Sequence, residues 1–165
     1  MAQEERLNDA GRMSTTPRLP ELDDCNCLAV RQAALHITQF YDRFLTDVGR
    51  RTTQFSILER LRRNGPMTVN ALAAEMVMDR TTMGRNIRPL QRDGLITVVT
   101  NEADRRCKKL VVTEAGLLRL SACYPRWTNA QTQFHAAFGA EQVTELRRLL
   151  HAVSTSELNR TPVMA

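Results

Sequence analysis

Residues 79–112 restrict the possible folds of this chain more than any other stretch, because one short helical pattern is followed at once by two β-rich runs. Asp79 is a favourable N-cap, Met83, Ile87 and Leu90 recur at helical spacing, and Gly94 stands just past the last turn, where a C-capping glycine belongs. That pattern is a short helix with one buried face. The remaining positions include Arg80, Thr81, Thr82, Arg85, Asn86 and Arg88, side chains that hydrogen-bond phosphates and base edges. Two runs of β-branched residues, Ile96–Thr100 and Lys108–Val112, are separated by Asn101-Glu-Ala-Asp-Arg-Arg106, which predicts a hairpin with a charged tip. Eight Arg and Lys against four Asp and Glu fall in residues 79–112, so this segment supplies most of the formal net charge of +5. The expected fold class is mainly α with a small β-wing: a winged helix-turn-helix.

The segments on either side give this reader its context. Residues 1–24 are polar, contain Pro17 and Pro20 and show no periodicity, and are expected to be a flexible arm. From Cys25 onward Cys27, Val30, Ala34, Ile37, Tyr41, Phe44 and Val48 follow helical spacing up to Gly49, and Leu28, Leu35, Phe40 and Leu45 widen the stripe. So broad an apolar face exceeds what one small lobe covers, and subunit pairing is the economical explanation. Thr53 is expected to cap a second helix that Gly65-Pro66 stops, and Thr68 a third whose buried face is Val69, Leu72, Ala73 and Met76. Only Val77 and Met78 then precede the Asp79 cap, the tight spacing of a helix-turn-helix. After the hairpin Thr113 should open a long helix towards Phe138, interrupted at Tyr124-Pro-Arg-Trp127, and after Gly139 a last helix carries Val143, Leu146, Leu149, Leu150 and Val153. This divides the chain into an arm at 1–24, dimerisation helices at 25–49 and 113–158, and a reader lobe at 53–112.

Several function classes are disfavoured. With 165 residues and 42% hydrophobic side chains the chain can bury one substantial core, and no apolar run is long enough to span a membrane. No export signal is evident, so the cytoplasm is the expected location and the four cysteines are expected to be thiols. His36, His135 and His151 lie on separate predicted helices outside any nucleophile or metal motif, and Cys25-Asn-Cys27 lacks zinc-site spacing. Neither catalysis nor a cofactor or metal is expected.

At this point the chain resembles a known family. The order of elements, together with Gly65-Pro-Met-Thr68, Leu90-Gln-Arg-Asp-Gly-Leu95, Asp104-Arg-Arg106 and Val112-Thr-Glu-Ala-Gly116, is similar to the multiple-antibiotic-resistance regulators, over roughly residues 27–153. The resemblance implies a homodimer with interlocked first and last helices, a pseudo-palindromic double-stranded DNA operator, and transcriptional control relieved by a small aromatic ligand or an oxidant. It places the Asp79 helix in the major groove and the wing in the minor groove, with Thr68 counted among the DNA-binding residues. Asn101 and Ala103 depart from the family pattern, so the wing tip would rest on Arg105 and Arg106, with Asp104 either orienting a guanidinium or merely forming the turn. The alternative is a winged-helix protein-interaction module without specific DNA binding, in which the arginines form a solvated face.

Two sensor readings stay open. Cys27 opens the first helix in a manner similar to the organic-hydroperoxide-sensing branch of the family, and a helix N-terminus with Arg31 one turn on favours a thiolate, whereas Asp23 and Asp24 oppose it. Cys25 is the second candidate, and the ordinary alternative for Cys27 is a small core residue. Alternatively His36, Tyr41, Phe55 and Trp127 could line an aromatic pocket between lobes, or be plain core.

Overall fold

The computed structural model describes residues 25–49, 51–100 and 108–158. Six helices and one hairpin follow in the order α1 (Asn26–Leu45), a 3-10 turn (Thr46–Val48), α2 (Thr52–Asn64), α3 (Val69–Glu75), α4 (Arg80–Arg92), β1 (Ile96–Thr100), β2 (Lys108–Val112), α5 (Glu114–Phe138) and α6 (Ala140–Thr155). The described residues up to Leu35 form one compact unit, which is the first half of α1, and those from His36 onward form another.

In the larger unit the core gathers Phe55, Ile57, Leu58 and Leu61 from α2, Leu72 and Ala73 from α3, Met83, Ile87 and Leu90 from α4, Ile96 and Leu110 from the hairpin, and Leu120 and Cys123 from α5. On α3 and α4, Leu72, Ala73, Met83, Ile87 and Leu90 are positions that the helical periodicity marks as inward. α4 runs unbroken through Pro89. Losing one ladder bond and clashing with the preceding turn costs about 3 kcal/mol, whereas burying Met83, Ile87 and Leu90 contributes roughly 1.5–3 kcal/mol each. Packing therefore wins, and the Asp93 amide rejoins the ladder by donating to the Pro89 carbonyl at 3.0 Å.

The hairpin pairs β1 with β2 antiparallel, Ile96 opposite Val112 and Thr100 opposite Lys108. Met67 adds a bridge to Leu110, its amide donating at 3.2 Å and its carbonyl accepting at 2.7 Å, so the entry to α3 is tied to the wing. The wing tip, with Asp104, Arg105 and Arg106, lies outside the described residues, as does the arm at 1–24.

Helix ends follow the expected chemistry with three corrections. Thr68 accepts from the Ala71 amide at 3.1 Å, and Thr113 from the Gly116 amide at 3.1 Å. α2, however, starts two residues earlier than a Thr53 cap would allow: Arg51 is the N-cap, and the Thr52 amide donates at 2.6 Å to Asp42 Oδ1. A carboxylate from α1 replaces the local threonine cap. The α-helical part of α1 stops at Leu45, a 3-10 turn leading to the left-handed Gly49. Finally, Tyr124-Pro-Arg-Trp127 does not interrupt α5. Tyr124 and Trp127 both pack edge or face against the buried Phe55, and that anchoring on each side of Pro125 holds the helix through the missing bond.

Candidate nucleic-acid interface

The reader is built by two short helices and a tight turn. Asp79 caps α4 by accepting the Thr82 amide at 2.8 Å. Hydrogen bonds from the Thr82 side chain and then its amide hold the Asp79 carboxyl below the ordinary carboxylate range. At about 3.6 residues per turn, Thr81, Arg85, Arg88 and Arg92 lie opposite the buried Met83, Ile87 and Leu90, and all four are exposed. Arg92 pairs with Asp93 at 3.1 Å. Among the described residues Arg80, Arg85 and Arg88 have no ion-pair partner.

Thr82 and Asn86 differ from their neighbours. They fall on one flank of α4, half-buried, and the Asn86 amide donates back to the Thr82 carbonyl at 2.9 Å. Asn86 is thus engaged on its own helix, which the residue pattern did not reveal. Thr68 spends its hydroxyl oxygen on capping α3.

The turn between α3 and α4 holds the sole non-glycine residue with positive φ among the described residues, Val77 at 51°. Its amide donates to Ala74 at 3.2 Å and that of Met78 to Ala73 at 2.8 Å, closing α3 as a glycine C′ residue would. A β-branched residue there is strained, and its side chain is 73% exposed. At the end of α4, Gly94 (φ 68°) makes the same closure, with bonds from Gly94 to Gln91 and Leu95 to Leu90.

Of the residues expected to line an aromatic pocket, Phe55 and Trp127 stack on one another. Phe55 is 5% exposed and belongs to the core, stacked on Trp127 at 5.9 Å. Tyr41 sits in a separate cluster with Phe40 and Phe134. Burial raises the Tyr41 phenol pKa, partly offset by the nearby Arg147 guanidinium. His36 is exposed. Trp127 alone lines a cavity, a groove of about 540 Å³ between α5 and α6 that it shares with Thr128, Gln131, Thr132, His135 and Arg147. Cys27 is exposed and Cys25 half-buried, whereas Cys123 is fully buried. Among the described residues no three His, Cys, Asp or Glu side chains converge as a metal would require, and no helix is long and apolar enough to cross a membrane.

A two-helix reader with a sharp turn, followed by a hairpin tied back to its entry, is a winged helix-turn-helix. The chain belongs to the MarR family of DNA-binding transcriptional regulators, whose family model matches residues 52–108. It is 34% identical to the Mycobacterium tuberculosis transcriptional regulator MosR in a crystal structure with DNA, with a TM-score of 0.71 over 79% of this chain and 94% of that one. A second MosR crystal structure matches at 31% identity and TM-score 0.70, covering 82% and 100% of the two chains. A probable transcriptional regulator from Pseudomonas aeruginosa matches at 26% identity and TM-score 0.72, covering 81% and 99%. No curated protein matches the sequence.

Proposed function

We propose that the chain is a cytoplasmic, sequence-specific repressor that binds double-stranded DNA as a homodimer and is released by a small aromatic ligand or by cysteine oxidation. The observation that carries this reading is the outward face of α4, where Arg85 and Arg88 stand exposed and without an ion-pair partner among the described residues. A capped helix presenting such a face is suited to a major groove, with the N-terminal turn towards base edges. MosR, the similar regulator, was crystallised with DNA. In this reading Arg80, Thr81, Arg85 and Arg88 contact the duplex directly, Thr68, Thr82 and Asn86 support its edge, and Asp104, Arg105 and Arg106 serve the wing tip.

Residues 53–112 would be the reader lobe, and 25–49 with 113–158 the dimerisation helices. Leu149, Leu150 and Val153 on α6 are between 41% and 53% exposed, an apolar stripe that a second copy would cover. Paired readers would face half-sites one helical turn apart, roughly 34–36 Å, hence a pseudo-palindromic operator. For the oxidant branch, Cys27 is the exposed thiol and Cys25 its neighbour.

Selection of bound sequences from random duplexes tests the reading. Arg85→Ala should relax sequence preference, while Arg106→Ala should weaken all duplexes alike and lower the salt slope by about one unit. A protein-interaction module would show no steep salt dependence, and wild-type affinity and preference in both variants would dismiss the groove assignment. Operator affinity before and after stoichiometric peroxide, in wild type and Cys27→Ser, separates the sensor branches: equal loss in both, or none, removes Cys27.

A further inference from the structure

We infer that Gly84 is a specificity-determining position of the reader: it leaves a notch in α4 that lets the helix backbone close on a base edge, with a thymine C5-methyl group seated against its Cα. This rests on the reading of α4 as the groove-facing helix, and names the base feature that the helix takes up at that point.

The starting observation is a glycine that nothing inside the protein requires. Glycine in a helix interior is destabilising relative to alanine, because the chain gives up more backbone freedom and packs no side chain in return. Gly84 stands in the middle of the 13-residue α4. Gly49, Gly65, Gly94 and Gly139 adopt positive φ, and a Cβ on Gly116 would run into the Leu95 carbonyl. Gly84 has neither feature: its φ is not positive, and a Cβ there would meet nothing within 4 Å. Among the described residues it is the one glycine that neither a backbone turn nor a neighbouring atom accounts for. The group that excludes a methyl from this position therefore lies outside the chain.

The place of Gly84 on the helix says what that group is. At about 100° per residue, Arg80 and Arg88 fall roughly 40° to either side of Gly84, one turn before it and one after. Thr81 and Arg85 lie further round, away from the buried Met83 and Ile87. Gly84 thus falls inside the arc of the exposed Arg80, Thr81, Arg85 and Arg88, whereas the half-buried Thr82 and Asn86 occupy the far flank. Long basic side chains surround a bare patch of backbone. Such a surface is complementary to a duplex, with guanidinium groups for phosphates and guanine edges and the bare backbone for the floor of the groove. The backbone amide and carbonyl of Gly84 are engaged in the ladder of α4, so the patch recognises by shape and apolar contact rather than by hydrogen bonding. The thymine C5-methyl group is the apolar feature of the major-groove pattern, and it is the base feature that a bare Cα suits.

The test uses the full-length protein and the duplex that it selects from random sequences. Gly84→Ala should raise the urea midpoint, since the added methyl meets no protein atom, yet bind the selected duplex about ten-fold more weakly, the scale of an overpacked contact. A glycine with a merely structural role would not part stability from affinity in this way. Each thymine of a half-site is then replaced in turn by uracil, which removes the methyl group alone. At one position the replacement should weaken wild type and strengthen Gly84→Ala, because the methyl lost from the base makes room for the one gained by the helix. Wild-type affinity in Gly84→Ala, a lowered midpoint, or the absence of any thymine at which the two proteins respond with opposite sign would overturn the notch and leave DNA binding standing. Selection of no sequence at all would instead overturn the reading of α4 on which the notch rests.

Discussion

Adding one methyl group to Gly116 should destabilise the protein, although glycine within a helix is ordinarily improved by alanine. Gly116 lies in the first turn of α5, where a Cβ would stand 2.1 Å from the Leu95 carbonyl oxygen and 2.7 Å from Val112 Cγ1. The nearer atom is backbone and cannot swing aside. To relieve the contact the start of α5 must part from the 94–95 segment by about an ångström, straining the Thr113 amide bond to Leu95 at 3.0 Å and the Thr113 hydroxyl bond to Gly94 at 2.7 Å. Overpacking of this kind costs about 1–3 kcal/mol, and loss of one hydrogen bond about 1 kcal/mol more. Against this stands a gain of roughly 0.5–1 kcal/mol for removing a helical glycine. The net expectation is a loss of about 2 kcal/mol, a fall of about 1 M in the urea midpoint for a slope near 2 kcal/mol/M. Gly84, inside α4 with nothing within 4 Å of its would-be Cβ, is the control: Gly84→Ala should raise the midpoint. Both variants are compared with wild type at one protein concentration, because a dimer's stability depends on it. Gly116→Ala unfolding at or above the wild-type midpoint would refute the close-approach argument.

Three further outcomes follow from the same structure. Val77→Gly should stabilise the chain by about 1 kcal/mol, since a left-handed β-branched residue costs about 1–2 kcal/mol and the side chain, 73% exposed, gives up little burial; an unchanged or lower midpoint contradicts this. Glu59 is held below the ordinary carboxylate pKa, first by its hydrogen bond from Arg62, with the Tyr124 hydroxyl adding to it. Its stabilisation is therefore present above the unfolded value of 4.5 and lost as the pH falls through the lower folded value, so the stability difference between wild type and Glu59→Gln should shrink in acid, and a constant difference would be inconsistent with the pairing. Ending the chain after Gly139 removes Leu149, Leu150 and Val153, and light scattering should then show monomers where the full chain is dimeric.

Much of this molecule was readable from local sequence. The reader helix, its Asp79 cap and the hairpin strands were set by periods and caps that act within a few residues, and so they appear at the expected positions. Where the cap comes from elsewhere, local reading failed: Asp42 of α1 reaches the start of α2, and the threonine rule placed that start two residues late. Pro125 looked like a break because proline's cost is local, whereas the packing that offsets it, Tyr124 and Trp127 against Phe55, depends on α2 and α5 meeting. The aromatic residues depend on the same kind of long-range packing. Residue type shows that a ring has something to bury, but only the tertiary structure decides whether the partner is another core ring, as for Phe55, or open space, as for the groove beside Trp127. The availability of charges divides likewise: Arg147 and Arg148 are indistinguishable as neighbours in sequence, and it is the side of α6 each one occupies, turned towards Glu145 or towards α5, that leaves one satisfied and the other without a carboxylate among the described residues.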